Sequence, residues 1–183
     1  IYIEETINSV IASTYNSYEI IIINDGSSDP YTNEILKNLK INKVRLLNTF
    51  NQGLASARNL GIWSSQGKYI LPLDGDDKIS PNYIVEIMNM FKKCPEAKMV
   101  SSKACFFGEK SGYWDLKEYT FRDLLFGNML HCSGVFRRKD YDQTLGYRTN
   151  MKYGLEDWDF WISLLDPKDI VIVLPEPLFY YRI

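Results

Sequence analysis

Tyr18-Glu19-Ile20-Ile21-Ile22-Ile23-Asn24-Asp25-Gly26-Ser27-Ser28-Asp29-Pro30 is the stretch whose reading settles the rest of the chain. Four consecutive isoleucines are β-branched and offer apolar surface to both faces of a pleat. The run therefore predicts a strand buried on both sides, as in sheets covered by helices. Asn24 to Pro30 stops it with turn chemistry: Gly26 permits a tight turn, and Ser27 and Ser28 are suited to cap a following helix.

The pattern extends in both directions. Ile3, Ile7, Val10 and Ile11 recur at helical spacing before the strand, and Ile35, Leu36 and Leu39 mark a helix after it. Val44 to Leu47 is a short strand, and Leu54 to Ser65 a helix that places small Ala57 and Gly61 near one face. Tyr69 to Leu73 is a strand with Asp74-Gly75-Asp76-Asp77 at its C-terminal end, and Pro72 inside it predicts an edge or irregular position. Ser80 and Pro81 form a cap and first-turn pair for a helix carrying Tyr83, Ile84, Ile87, Met88 and Phe91. Alternating strand and helix through about residue 100 predicts an α/β fold with a Rossmann-like, mostly parallel central sheet flanked by helices. Ligands of such sheets bind beyond the carboxyl ends of the strands, where both acidic turns fall. Past residue 100 the pattern loosens. It reads as a turn over 108–113, a short helix within 114–126, a strand over 132–136 and a loop over 142–154. A helix over 156–165 and a strand over 170–174, ended by Pro175, follow.

The chain has 183 residues, 45% hydrophobic and 24% charged, which fits one cored domain. Lys and Arg total 21 and Asp and Glu total 23, a net charge of −2, so a broad basic surface for nucleic acid is not expected. Three cysteines do not make a disulfide framework. No apolar run reaches the roughly 18 residues of a membrane helix. The chain opens on Ile1-Tyr2-Ile3 without Met and closes on Tyr180-Tyr181-Arg182-Ile183. Both ends read as cuts, so a piece of a larger protein is expected.

Asp74-x-Asp76 after a strand can close around one cation, because neighbouring carboxylates repel and a hard divalent ion relieves that repulsion. It can equally be a solvated acidic turn. An EF-hand is excluded by Lys78 at the fifth loop position and Val85 at the twelfth. Asp25 is an acceptor suited to a base N–H or a ribose hydroxyl, or an Asx-turn residue. Arg58, in Asn51-x-Gly53-x-x-x-Ala57-Arg58-Asn59-x-Gly61, can face a pyrophosphate or lie on the surface. Glu156-Asp157 opens a helix beside Trp158 and Trp161. Free amides there lower a carboxylate's pKa, and one of the pair can serve as a general base or simply complement the helix. The lone His131 has no second His or Cys at zinc spacing and reads as structural or as an acceptor-site hydrogen bonder. Cys94, Cys105 and Cys132 lack metal or redox spacing.

Four blocks taken together resemble the family 2 glycosyltransferases: Glu19 to Asp29, Asn51 to Gly61, Tyr69 to Asp77 and Gly154 to Trp158. The resemblance runs over nearly the whole chain. It implies the GT-A fold and a glycosyltransferase catalytic domain over 1–183, with a nucleotide-sugar-binding half (1–100) and an acceptor-binding, catalytic-base half (101–183). It implies a nucleotide-sugar donor, UDP-linked first among the choices, held by Asp25, Gly26, Ser27, Arg58, Asn59, Asp74 and Gly75. By the same resemblance Asp25 reads the base and Asp74 lies near the ribose. Asp76, with Asp74, would hold Mn²⁺ or Mg²⁺ on the diphosphate. Asp157 would be the general base, with Glu156 its supporting or competing candidate. The implied reaction is single displacement with inversion onto a saccharide or lipid-linked acceptor, in cell-surface polysaccharide assembly. The implied setting is cytoplasmic, at the inner face of the membrane, with peripheral association of the full-length protein.

The chain also departs from the family pattern. Asn24 stands where the family usually has Asp. The glycine-aromatic-acid signature before the Glu-Asp pair is blurred in Leu145 to Asn150. The Q-x-x-R-W signature of processive synthases is absent, which favours addition of one or a few sugars. The family's first hydrophobic strand, ending in Pro-x-Tyr-Asn, is missing ahead of the first helix. The region after Arg182 that can supply a His near the diphosphate is missing as well. Two other readings compete: an inactive nucleotide-sugar-binding or structural domain, and a metal-dependent nucleotidyltransferase. The latter would want a Gly-rich basic first loop and would leave Glu156-Asp157 without a role. A dinucleotide oxidoreductase is excluded by the lack of Gly-x-Gly-x-x-Gly after a strand.

Overall fold

The computed structural model describes residues 2–41 and 43–183; Ile1, part of the chain's opening tripeptide, lies outside them. The elements are α1 (Ile3–Ile11), β1 (Ile20–Asp25), α2 (Pro30–Asn38), β2 (Val44–Thr49), α3 (Leu54–Ser64), β3 (Tyr69–Ile70), β4 (Lys78–Ile79) and α4 (Tyr83–Lys93). After them come β5 (Met99–Phe107), β6 (Gly112–Trp114), α5 (Phe121–Leu124), β7 (Val135–Arg137), α6 (Arg138–Tyr141), α7 (Glu156–Leu164) and β8 (Val171–Arg182).

The α/β class holds, but the expected mostly parallel sheet does not. β1 and β2 form a parallel pair of their own, and a second sheet runs β3-β7-β5-β8-β4 with β6 on β5. In that sheet only β5 and β8 are parallel; the β3–β7, β4–β8, β5–β6 and β5–β7 pairs are antiparallel. Helical crossovers, which enforce parallel pairing, give way to hairpins and loop returns after β5. The last strand is also longer than expected. Pro175 does not end it, because a register shift between Ser102 and Ala104 of β5 lets β8 run through Pro175 and Pro177 to Arg182. An irregular pairing accommodates residues without an N–H.

Two helices start one or two residues later than expected. Asp29, rather than Ser27 or Ser28, caps α2 by accepting from Thr32 N at 2.8 Å, with Pro30 in the first turn. Ser80 and Pro81 precede α4, which opens after Asn82.

Three apolar clusters hold these layers. α1, β1 and α2 close around Ile7, Ile22 and Leu36. α4 buries Tyr83, Ile87 and Phe91 against Val100, Ala104 and Phe179 of the large sheet. α7 buries Phe160, Trp161 and Leu164 against Met99 and Phe136. Gly134 permits that last contact, since a Cβ there would lie 1.8 Å from Met99 Cε. Among the described residues β1 pairs only with β2, and β3 only with β7. A cavity of about 870 Å³ lies against both, lined by Ile21, Ile23, Leu71 and Leu73, and also by Asp74 and Asp76.

Candidate active site

β1 ends on Asp25, and its half-buried carboxylate accepts from Gln52 N (3.0 and 3.1 Å) and Gly53 N (2.8 Å). The loop that opens α3 is thus fastened to the end of β1. Gly26 follows with φ +74°, and a Cβ on it would come within 2.8 Å of Asn51 N. Only glycine fits that approach and that backbone together. Asn24 accepts from Ser27 N at 3.0 Å and donates to Asn33 and Asn48. An aspartate in its place could not make the two donations. Ser27 is exposed at the lip of this turn.

Arg58 is buried, not on the surface. Its Nη2 donates to Asp74 Oδ1 at 2.7 Å and Oδ2 at 3.1 Å, and its Nη1 to Glu156 Oε1 at 2.6 Å. The guanidinium lies 5.4 Å from the centre of the Tyr147 ring. Burial works against its charge, but Asp74 beside it more than offsets this and holds its pKa up. Asn59 is also buried. It donates to Tyr147 O at 2.7 Å and accepts from Tyr141 Oη at 2.8 Å and Tyr147 N at 2.9 Å, tying α3 to the loop before α7.

The acidic turn divides its carboxylates. Asp74 faces Arg58, and Gly75 is exposed, with room for a Cβ at 3.4 Å from Ile3 Cδ1. Asp76 is exposed, and its carboxylate has no hydrogen-bond partner among the described residues. Asp77 is 1% exposed; its N–H donates to Asp74 O and its Oδ1 accepts from Arg182 N at 2.9 Å. Burial, with the charges of Asp74 and Asp76 close by, pushes Asp77 up to about 7. Ligand atoms of Asp74, Asp77 and Cys132 lie within 4.8 Å of one another. Burial keeps the Cys132 thiol protonated, and it donates toward Asp74 Oδ2 at 3.5 Å. No spacing signal points to Cys132, which lies 58 residues from Asp74 in sequence.

The Glu-Asp pair opens α7 after two residues in left-handed backbone, Gly154 (φ +99°) and Leu155 (φ +67°). Glu156 is 5% exposed and bound to Arg58. Asp157 accepts from Trp158 N at 2.7 Å and from Asn128 Nδ2 at 3.1 Å. The expected lowering of its pKa by helix amides is outweighed: burial raises it above the usual carboxylate value. Asn128, which holds Asp157 in place, gave no sign in the sequence. His131 is structural, with Nε2 2.9 Å from Ser101 Oγ and 3.1 Å from Ser102 O and its ring stacked on Phe179.

The family model for "Glycosyl transferase family 2" matches residues 2–153, ending just before the Glu-Asp pair. An uncharacterized glycosyltransferase of Haemophilus influenzae is 28% identical over all of the chain and 61% of its own length. One of Methanocaldococcus jannaschii is 25% identical over all of the chain and 66% of its own length. The chain therefore spans about two thirds of these relatives or less. The crystal structure of S. aureus TarS 1-349 in complex with UDP-GlcNAc superposes with a TM-score of 0.77. That match covers all of this chain and 55% of that one at 16% identity, a likeness of fold. Among the described residues no helix is long and apolar enough to cross a membrane.

Proposed function

The chain belongs to glycosyl transferase family 2 and has the GT-A fold, and from that premise we propose that its protein transfers a sugar from a nucleotide-sugar to an acceptor hydroxyl with inversion at the anomeric carbon. A UDP-sugar is the first choice of donor, and the acceptor is a saccharide or lipid-linked saccharide. The observation that carries this reading is Arg58, held between Asp74 and Glu156. One guanidinium joins the acidic turn beyond β3 to the first turn of α7, so donor carboxylates and base share one wall.

Residues divide the work as follows. The turn of Asp25, Gly26 and Ser27 receives the nucleoside; Asp25 keeps a lone pair beyond the three contacts it accepts. Asn59 shapes the wall from behind. Glu156 is buried and engaged by Arg58, and Asp157 is the base in this reading. Asp157 removes the acceptor hydroxyl's proton, the oxygen bonds to the anomeric carbon, and the bond to the diphosphate oxygen breaks with its electron pair leaving on the diphosphate. The exposed, unpartnered oxygens of Asp76 suit a hard ion, whereas the protonated Cys132 thiol does not. Asp76, with Asp74, would hold Mn²⁺ or Mg²⁺, which supplies charge neutralisation for the leaving diphosphate.

In this reading residues 1–100 bind donor and 101–183 supply acceptor contacts and base. The cavity against β1 and β3 takes a further apolar strand that joins the two sheets. The protein works in cell-surface polysaccharide assembly at the cytoplasmic face of the membrane. Calorimetric titration with UDP and Mn²⁺ tests the assignment. Binding that survives excess chelator unchanged would remove the metal role, and absence of any UDP binding would remove the donor site.

A further inference from the structure

We propose that Arg182 is a positioning residue for the acidic turn, a latch that fixes the peptide carrying Asp76 to helix α1. The inference rests on reading Asp76 as the ligand of a metal-diphosphate. The turn crowds the carboxyl groups of Asp74, Asp76 and Asp77 into four residues. Its internal backbone bond, Asp77 N to Asp74 O at 3.2 Å, is long. The hold comes from outside, from both ends of the chain. Arg182 closes β8, and its N–H donates to Asp77 Oδ1 at 2.9 Å and its Nε to Asp76 O at 2.8 Å. The same guanidinium pairs with Glu5 of α1 and lies 4.0 Å from the Tyr2 ring centre and 4.2 Å from that of Phe107. α1 adds a second grip, Thr6 Oγ1 donating to Asp77 O at 2.7 Å. The main chain of Asp76 is thereby fixed while its carboxylate stays exposed.

The geometry asks for arginine. Nε takes a carbonyl while the fork takes a carboxylate, and a lysine ammonium on its flexible stem cannot hold both in one plane. Glu5 is shared with Lys78 at 2.7 Å, so the latch belongs to a small charged network and not to a single pair.

Amide hydrogen exchange and UDP–Mn²⁺ calorimetry on the full chain test it, with Arg182→Met, Arg182→Lys and the milder, half-exposed Glu5→Gln. Without ligand, Arg182→Met should speed exchange of the Gly75 to Lys78 amides about tenfold. Amides of α3 and α7 should not change. Metal-dependent UDP affinity should fall about tenfold, or about 1.4 kcal/mol. Arg182→Lys should recover only part of either, and Glu5→Gln should move both in the same direction by less. Wild-type exchange in Arg182→Met, or faster exchange with wild-type affinity, overturns the latch. If the wild-type chain shows no metal-dependent UDP binding, yet the turn loosens in Arg182→Met, the latch stands and the donor reading falls.

Discussion

Arg58 Nη1 reaches Glu156 Oε1 at 2.6 Å across 98 residues of sequence, and each side chain is 7% exposed. The pair is therefore a tertiary contact that closes α3 onto α7 and engages the first carboxylate of the Glu-Asp pair. Removing the cation strands a buried carboxylate. Arg58→Met should lower unfolding free energy by about 3–5 kcal/mol, as broken buried pairs do. Urea denaturation measures the loss. A change under about 1 kcal/mol would mean that the pair contributes little beyond packing.

Asp157→Asn keeps the side chain's shape and one acceptor oxygen for Trp158 N, but its amide nitrogen cannot accept from Asn128 Nδ2 and it cannot take a proton. Transfer should fall by roughly 10²–10⁴, with donor affinity retained. Single-turnover kinetics beside UDP binding separate the two. Native-rate transfer in this variant would point to another base.

Gly26→Ala places a Cβ 2.8 Å from Asn51 N on a backbone at φ +74°. Strain of this kind costs about 1–3 kcal/mol. Thermal unfolding should show that loss, together with weaker nucleotide binding because the Asp25 turn must shift. An unchanged melting temperature would mean that the loop at Asn51 yields without cost.

His131 sets a pH dependence. Burial pushes it down to about 4 from 6.5, so the folded protein holds it neutral while the unfolded chain protonates it at the ordinary value. Stability that is present above about pH 6.5 is then lost as pH falls toward 4, by roughly 2–3 kcal/mol. His131→Gln cannot titrate and should show a flatter stability profile between pH 7 and 4.5. Parallel profiles for the two proteins would rule His131 out as the source.

Much of the candidate site was legible because turn chemistry follows apolar runs in the sequence. Gly26 after the isoleucine run ends β1, although the strand carries Asn24 and Asp25 with it, and Asp74 to Asp77 follows the apolar Tyr69 to Leu73 as an acidic turn. The pairing after residue 100 was not legible, because local alternation does not say which strands meet. Nothing near Pro175 or Pro177 tells that β5 offers a register shift to take them in.

The sequence by itself determined the α/β class, the order of the acidic turns and the membership that their spacing carries, because these depend on residues covalently close together. Tertiary structure decided the rest. It turned Arg58 inward, buried Glu156 in an ion pair with it, left Asp76 exposed and Asp77 buried, and brought Cys132 beside Asp74. A side chain's charge state and freedom depend on what packs against it, and those partners come from segments that meet only when the layers close.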